Sequence, residues 1–478
     1  MPDPALTNAE QNFLARYPDF ATTRALDDLR AREYARLDEA QHVYLDYTGG
    51  GLYADSQIRA HTDLLLGNVF GNPHSTNPTS LVMTHFIEQT RAYVLDYFHA
   101  SPDEYVVIFT QNASGALKLV GESYPFDSAS HYLLLFDNHN SVNGIREFAR
   151  AKHTQVTYAP VLPPDMRIDD GKLGSFLELA NPNARNLFAY PAQSNFTGVR
   201  HSLEWIARAQ DLGWDVLLDA AAFVPTNRLD LGRWHPDFVA LSFYKIFGYP
   251  TGVGALLARK TALRKLQRPW FAGGTITVAS VQGDRYYFQE GAEAFEDGTL
   301  NYLTLPAIEI GLRHIAHIGI ETIRARVHCL TGWLIDELSA LCHSNGRPLV
   351  RIYGPLNTHE RGGTLTMNFY DVNGHFIDHR LIEWNANRAN ISLRTGCFCN
   401  PGGGELALGI SAEELSVCFK HTTERMTLDE FRRCIDDKST GAVRVSLGLV
   451  TTFADVYRLI EFARGLVDKT AQEVEIDL

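Results

Sequence analysis

The sequence predicts an α/β fold in which a mostly parallel seven-stranded sheet is flanked by helices and joined to a smaller α+β C-terminal domain. Between about Tyr44 and Lys260, short apolar runs alternate with helix-like segments, which is typical of a parallel sheet covered on both faces. After about Leu303 the pattern changes to a long helical stretch followed by fewer strands. At 478 residues the chain also exceeds the size at which one hydrophobic core keeps growing, so two domains are favoured.

The predicted strands of the large sheet are short apolar runs bounded by turn residues. They lie at 106–110, 132–136, 156–160, 187–190, 216–219, 238–242 and 254–258. Ligands of parallel sheets bind at the carboxyl ends of the strands. The polar residues that follow these runs are therefore the first candidates for a functional site.

The remaining pattern divides the chain into three predicted parts. We expect an N-terminal helical segment at 1–43 that packs on the small domain, a large domain at 44–305 and a small domain at 306–478. Within the small domain the pattern predicts a long helical stretch at 307–344, strands near 349–353 and 364–370, a helix near 376–390, and a final strand and helix within 443–467.

The charge of the chain argues against two classes of partner. With a net charge of −13 and a pI near 5.8, neither nucleic acid nor an anionic membrane surface would gain counterion release on binding. The N-terminal residues carry acid where a signal peptide carries base, and no charge-free apolar run approaches the ~18 residues of a membrane span. We therefore expect a cytoplasmic protein.

The six cysteines are too sparse for a disulfide-stapled scaffold, so free thiols are expected. Cys329, Cys342, Cys418 and Cys434 fall in helical surroundings, where a cysteine usually acts as a small buried hydrophobe. Cys397 and Cys399 lie instead on a glycine-rich stretch.

A lysine and an aspartate each fall at the end of a predicted strand. Lys245 follows 238–242 and precedes glycines at which backbone can approach a ligand closely, and Asp219 ends the run 216–219. An amine that bonds covalently to an aldehyde and an anion that keeps a pyridine nitrogen protonated are the pair that pyridoxal phosphate requires. Lys245 and Asp219 therefore indicate this cofactor.

Two further segments suit the same cofactor. At 106–118 a strand passes through small residues into a helix whose free N–H groups suit a phosphate. Asn112, Ala113 and Ser114 would line this phosphate site. An ordinary capped helix has the same sequence pattern. His139 follows another strand, where an imidazole can lie on a pyridine ring and move protons, although a lone histidine is more often structural.

Amides, an arginine and two thiols complete the candidates. Gln193 and Asn195 follow the run 187–190 and suit hydrogen bonds to a cofactor oxygen or a substrate carboxylate, unless they only form a turn. Arg394 is a bidentate clamp for a carboxylate, five residues before the thiol of Cys399. The alternative, a metal site at Cys397 and Cys399, lacks two further ligands at the usual spacings.

With these segments in view, the chain resembles the cysteine desulfurase branch of the class V aminotransferase family, and most closely the desulfurase portion of molybdenum cofactor sulfurases. The resemblance runs over nearly the whole chain. Its most specific strings are VFGNPHS at 69–75, PAQSNFTG at 191–198, SFYKIFG at 242–248 and RTGCFCN at 394–400.

The resemblance implies a fold-type I pyridoxal phosphate enzyme with assigned site residues. Lys245 would bind the cofactor covalently, Asp219 would pair with the ring nitrogen, and His139 would stack on the ring. Gln193 would serve the phenolic oxygen, and Cys399, aligned with the family's mobile thiol, would accept sulfur. The phosphate would fall to Asn112, Ala113, Ser114 and Ser242, and the substrate carboxylate to Asn195 and Arg394.

The implied reaction takes sulfur from L-cysteine as a persulfide on Cys399 and releases L-alanine. By the same resemblance the chain forms a homodimer, with the loop at Thr275 reaching the neighbour's phosphate. The recipient of the sulfur, a protein or a metabolite, stays open. Two alternatives also stay open: another class V enzyme, such as a C–S lyase, transaminase or racemase, and a pyridoxal phosphate-binding protein without catalysis.

Overall fold

A seven-stranded sheet lies at the centre of the computed structural model, which describes residues 4–420, 426–427, 430 and 441–476. The strands are β1 (Tyr105–Thr110), β2 (His131–Leu135), β3 (Gln155–Ala159), β4 (Asn186–Pro191), β5 (Trp214–Asp219), β6 (Phe238–Ser242) and β7 (Gly254–Arg259). Their order across the sheet is β1-β7-β6-β5-β4-β2-β3. β7 runs antiparallel to both neighbours, and the other pairs are parallel.

The sequence prediction of this sheet is confirmed. Each observed strand overlaps its predicted run, with bounds that differ by at most two residues. All residues of β2, β4, β5 and β6 are buried, because helices cover both faces of the sheet. This burial is why these strands read as continuous apolar runs.

Helices flank the large sheet and connect its strands. Their bounds are Asp55–Leu66, Pro78–Tyr97, Ala113–Ser123, Asn140–Asn143, Ile145–Ala151, Asp170–Leu177, Glu204–Asp211, Phe243–Phe247 and Lys260–Leu263, with a 3₁₀ helix at Glu293–Phe295. Two small hairpins lie outside the sheet, Val161–Leu162 with Arg167–Ile168 and Ile276–Ser280 with Arg285–Phe288.

A second, antiparallel sheet follows in the chain. Its strands are β8 (Val350–Tyr353), β9 (Thr364–Tyr370), β10 (Phe376–Ile377), β11 (Arg394–Gly396) and β12 (Ala442–Ser446). The order is β8-β9-β12-β11, and β10 pairs with β9. The accompanying helices are Pro306–Ile318, Ile320–Ala340, His379–Arg388, Pro401–Leu408, Ala412–Lys420, Phe453–Arg464 and Ala471–Ile476.

Two predicted helical segments are subdivided in the structure. The helical stretch predicted at 307–344 forms two helices that meet at Gly319, whose φ of 86° is open to glycine and rare in other residues. The segment expected as a helix at 376–390 begins as strand β10, and its helix starts only after Asp378, whose side chain caps the backbone N–H of Arg380.

The N-terminal residues form helices that contact the C-terminal part of the chain. The helices are Pro4–Arg16, Ala25–Glu33 and Arg36–Glu39, with a 3₁₀ helix at Pro18–Thr23. Phe13 stacks on Phe453 with ring centroids 4.7 Å apart, and Arg30 Nη1 lies 2.5 Å from Asp455 Oδ2. A short parallel pair, Val43–Tyr44 with Ile391–Ser392, continues this contact. The three-part division of the chain stays a prediction.

Within the part of the chain that the structure describes, none of the helices combines the length and the apolar character that crossing a membrane requires.

Candidate active site

A cavity of about 220 Å³ opens at the carboxyl ends of the large sheet. β1, β2, β4, β5 and β6 each lead into it, as expected for a ligand site in a parallel sheet. The cavity brings together most of the residues that the sequence predicted: Asn112, Ala113, Ser114, His139, Gln193, Asn195, Asp219, Ser242 and Lys245.

Lys245 and Asp219 lie on neighbouring strand ends. Asp219 is the last residue of β5, and Lys245 is in the short helix directly after β6. Asp219 Oδ1 accepts a hydrogen bond from the backbone N–H of Ala221 (3.0 Å), which fixes the carboxylate. Burial lowers the pKa of Lys245, and the charge of Asp219 opposes this shift. The site therefore holds a lysine with a larger neutral fraction than a surface lysine has.

The helix Ala113–Ser123 begins at the cavity. Asn112 caps it by accepting a hydrogen bond from the N–H of Gly115 (2.9 Å), and the N–H of Ala113 donates to Ser242 Oγ (2.8 Å). Ser114 Oγ lies 2.6 Å from Ser141 Oγ. Two hydroxyls at a helix N-terminus suit the oxygens of a phosphate. Ser141 was missed by the sequence analysis, although it stands only two residues after His139.

His139 is held by its own backbone turn. Its Nδ1 accepts a hydrogen bond from the N–H of Ser141 (3.1 Å), which leaves Nε2 as the free position of the ring. Burial lowers the pKa of His139, and the charge of Asp219 opposes the shift. The burial favours a neutral, fixed imidazole at the cavity wall.

The two predicted amides differ in their contacts. Gln193 Oε1 accepts a hydrogen bond from Asn227 Nδ2 (3.2 Å). Asn195 Nδ2 donates to the backbone oxygen of Phe398 (2.7 Å), and Asn195 Oδ1 accepts from Asn400 Nδ2 (3.0 Å). The amide of Asn195 is therefore bonded to residues on both sides of Cys399.

Arg394 does not line the cavity. Its side chain is 50% exposed, and its Nε and Nη2 donate to Asp46 Oδ2 at 2.9 and 2.6 Å. The predicted role of Arg394 as a carboxylate clamp stays a prediction.

A second arginine, Arg444, reaches the same carboxylate from strand β12. Arg444 Nη2 lies 3.1 Å from Asp46 Oδ1, and Arg444 Nη1 donates to the backbone oxygen of Asn195 (3.0 Å). Burial lowers its pKa to about 10, against the opposing charge of Asp46. Arg444 was missed by the sequence analysis. The signal was present, since a lone arginine in a buried apolar strand requires a partner.

The two thiols of the Cys-x-Cys segment point away from the core. Cys397 and Cys399 are exposed, whereas Phe398 between them is buried against Phe196 (ring centroids 5.4 Å apart) and beneath the guanidinium of Arg444 (4.7 Å). Neither thiol lines the cavity. The backbone oxygen of Cys399 accepts a hydrogen bond of 2.6 Å from the N–H of the residue after His139.

The other predicted features are placed as follows. Thr275 lies away from the cavity of its own chain, and its hydroxyl accepts a hydrogen bond from the N–H of Ala272 (2.9 Å).

Cys329 and Cys342 are free thiols, but Cys418 is disulfide-bonded, so the expectation of a free thiol is wrong there. Cys434 lies outside the described residues. Among the described residues, no group of three or more His, Cys, Asp or Glu side chains is placed to hold a metal ion.

Comparisons with known proteins decide the family. The sequence profile of the aminotransferase class-V family matches residues 43–459. The chain belongs to the class-V aminotransferase family. The fold agrees with this family assignment. The class-V chain superposes on the apo cysteine desulfurase of Thermococcus onnurineus with a TM-score of 0.75 and 23% sequence identity. The superposition covers 92% of this chain and 98% of that one. A C-DES variant with glycine covalently linked to its PLP cofactor superposes with a TM-score of 0.67, at 18% identity, covering 91% and 99%.

Among class-V relatives, the chain is similar to molybdenum cofactor sulfurases. It is 38% identical to the Homo sapiens protein over 462 residues, which is 92% of this chain and 51% of that one. It is 36% identical to the Solanum lycopersicum protein over 470 residues, or 92% and 57%. The chain thus spans little more than half the length of these relatives. The predicted family and fold are confirmed, and the roles of individual residues stay predictions.

Proposed function

We propose that this class-V protein is a pyridoxal phosphate-dependent cysteine desulfurase that takes sulfur from L-cysteine as a persulfide on Cys399 and releases L-alanine. One observation carries the proposal. Lys245 and Asp219 share a cavity whose wall is hydrogen-bonded to the loop of Cys399: the N–H of Asn140, next to His139, donates to the backbone oxygen of Cys399, and Asn195 Nδ2 donates to that of Phe398. The names of the sulfurase and desulfurase relatives support the same reaction.

The residues present fit the proposed cofactor. The donor set consists of an amine with a lowered pKa, a carboxylate opposite it, and two hydroxyls 2.6 Å apart at a helix N-terminus. Lys245 would hold the cofactor covalently, Asp219 would hold the ring nitrogen, and Ser114 with Ser141 would hold the phosphate. When bound, the cofactor withdraws electrons from Cα of an amino-acid substrate.

The chain's own residues supply the proton transfers. When it is not bonded to the cofactor, the Lys245 amine would take the proton from Cα of the substrate. Its lowered pKa favours this role, because a base must be unprotonated to accept a proton. His139, held through Nδ1, lines the same cavity.

The substrate carboxylate needs a cation, and Arg444 fits better than Arg394. Arg444 already bonds to the backbone of Asn195, the predicted carboxylate-binding amide. Arg394 has both Nε and Nη2 committed to Asp46, whereas Arg444 donates to that carboxylate through Nη2 alone. We therefore place Arg444 with Asn195 at the carboxylate and assign Arg394 to the ion pair with Asp46.

Sulfur transfer requires the thiolate of Cys399. The thiolate attacks the substrate sulfur, so that an S–S bond forms while the Cβ–S bond breaks. The electron pair of the broken bond stays on the substrate carbon skeleton, which takes up protons and leaves as alanine. The persulfide then passes to an acceptor, a carrier protein or a metabolite.

The experiment records the visible spectrum of the purified protein, adds L-cysteine, and measures alanine together with protein-bound sulfur. We expect alanine and a persulfide in equal amounts in one turnover. Lys245→Ala should abolish both products, and Cys399→Ala should keep the visible absorption but form no persulfide. Keto-acid formation, or an undiminished persulfide in Cys399→Ala, would favour another class-V reaction.

A homodimer is part of the proposal. The hairpin that follows Thr275 exposes apolar side chains, including Val281 at 100% and Tyr287 at 62% exposure. Such side chains suit burial against a second copy. A light-scattering mass of one chain would contradict this assembly. A cytoplasmic location stays a prediction.

A further inference from the structure

The loop that carries Cys399 has an imposed backbone conformation. Phe398 and Cys399 both have φ of 54°, in the left-handed region that residues other than glycine adopt when their surroundings hold them there. The surroundings must therefore contain groups that fix this loop.

Asn400, the residue directly after Cys399, is the centre of these contacts. Its Oδ1 caps the helix Pro401–Leu408 by accepting a hydrogen bond from the N–H of Gly403 (2.9 Å). Its Nδ2 donates to Asp137 Oδ1 (2.6 Å) and to Asn195 Oδ1 (3.0 Å). All the polar atoms of this side chain are thus committed, and the side chain is fully buried.

Asp137 is the buried anion to which Asn400 is attached. Its side chain is 0% exposed, and its Oδ1 also accepts a hydrogen bond from Ser194 Oγ (2.9 Å). Its Oδ2 lies 3.6 Å from Nε2 of His201, which is buried as well. Removing a carboxylate from water costs free energy, which these hydrogen bonds and the nearby imidazole offset.

Asp137 connects the loop of Cys399 to the end of a strand in the large sheet. It follows β2 and stands two residues before His139, so one rigid strand end carries both the wall of the cavity and the attachment of the loop. We propose that Asp137, acting through Asn400, is a positioning residue that holds the Cys399 thiol at the distance from the cavity that sulfur transfer needs. This inference rests on the proposed function of Cys399.

The expected effect is on sulfur transfer and not on substrate binding. Misplacing a reacting group by about 1 Å costs on the order of 100-fold in rate. A loop released from Asp137 keeps its other contacts, so we expect persulfide formation to slow by roughly 10- to 100-fold. Binding of L-cysteine in the cavity is expected to stay unchanged.

The test uses the cofactor-loaded protein and the variant Asn400→Ser. Serine still caps the helix, but it lacks the amide that donates to Asp137 and to Asn195. The matched control is Asn77→Ser, the same change at the N-cap of the helix Pro78–Tyr97, where Asn77 accepts from the N–H of Ser80. One measurement is the change in the visible spectrum on adding L-cysteine. The other is the single-turnover rate of persulfide formation on Cys399, read by mass spectrometry.

On addition of L-cysteine, the visible spectrum of Asn400→Ser should change as that of wild type does, while its persulfide forms roughly 10- to 100-fold more slowly. Asn77→Ser should match wild type in both measurements. A wild-type persulfide rate in Asn400→Ser, or a spectral response that falls in parallel, overturns the positioning role. If wild type itself forms no persulfide on Cys399, the proposed function fails instead.

A second variant keeps the test decisive if Asn400→Ser does not fold. Asp137→Asn keeps the shape but accepts weaker hydrogen bonds than a carboxylate, so the slowing should be of the same kind and smaller. In either variant, the alkylation rate of Cys399 relative to that of Cys397 should change, since Cys399 is covalently next to Asn400, whereas Cys397 is joined to it only by the hydrogen bond from the backbone N–H of Asn400 (2.9 Å). An unchanged ratio in the variant that folds would contradict the role.

Discussion

Replacing Arg444 with glutamine is expected to raise the KM for L-cysteine far more than the same change at Arg394. The Arg444 side chain is 3% exposed, so a carboxylate bound to it is largely removed from water. A hydrogen bond to a charged group is worth about 1.5–3 kcal/mol in such surroundings, or roughly 10- to 150-fold in KM. The Arg394 side chain is 50% exposed. An interaction there is worth about 0–1 kcal/mol, or at most about fivefold.

The assay measures initial rates of alanine release over a range of L-cysteine concentrations, with the enzyme saturated with pyridoxal phosphate. KM and kcat are read separately, because loss of a carboxylate contact weakens substrate binding before it alters the chemistry. Arg444→Lys adds a graded case, since it keeps the charge but loses the planar fork of the guanidinium. Thermal melting of each variant shows whether the fold survives.

The reasoning is refuted if Arg394→Gln raises KM as much as Arg444→Gln does. Arg394 would then have to leave Asp46 when substrate binds. The ion pair of Arg394 with Asp46 would in that case be a resting arrangement that substrate displaces.

Three further outcomes are expected. Asp46→Asn should lower the free energy of unfolding by about 3 kcal/mol, because it leaves the buried guanidinium of Arg444 without its carboxylate. A loss under about 1 kcal/mol in urea denaturation would contradict this expectation. In the apoprotein, reductive methylation of Lys245 should begin at a lower pH than methylation of the exposed Lys118. Burial lowers the pKa of Lys245, so its neutral amine appears earlier as the pH rises. Equal pH profiles of methylation, measured by mass spectrometry, would count against the lowered pKa. Gly402→Ala should destabilise the protein by about 1–3 kcal/mol, since the new Cβ would clash with a backbone oxygen just after β2. Gly404→Ala should not destabilise it, because the nearest contact of its Cβ would be 3.6 Å. Equal melting temperatures for the two variants would contradict the clash.

The large sheet and most of the candidate site were predictable from the sequence. The strands are buried on both faces and therefore read as short apolar runs. Parallel strands end at one edge, so polar residues after separate runs, such as His139 and Asp219, meet in space. This rule brought nine predicted residues into one cavity without any knowledge of their contacts.

What escaped prediction depends on long-range pairing or on single backbone angles. The ion pair of Arg394 was not foreseen, because its partner Asp46 lies 348 residues earlier in the chain. Arg444 was hidden in an apolar strand, where only its partners reveal its purpose. The break at Gly319 follows from one positive φ, and a helical pattern carries no sign of it.

The cluster of Asp46 with Arg394 and Arg444 also has a consequence for biosynthesis. Its charges are separated along the chain by 348 and 398 residues. A ribosome must therefore finish nearly all of the described polypeptide before these groups can meet, although the large sheet, complete by Arg259, can form earlier. The cluster can thus form only after Arg444 has been synthesised, and a nascent chain that stalls before β12 would carry a folded sheet without the completed cluster.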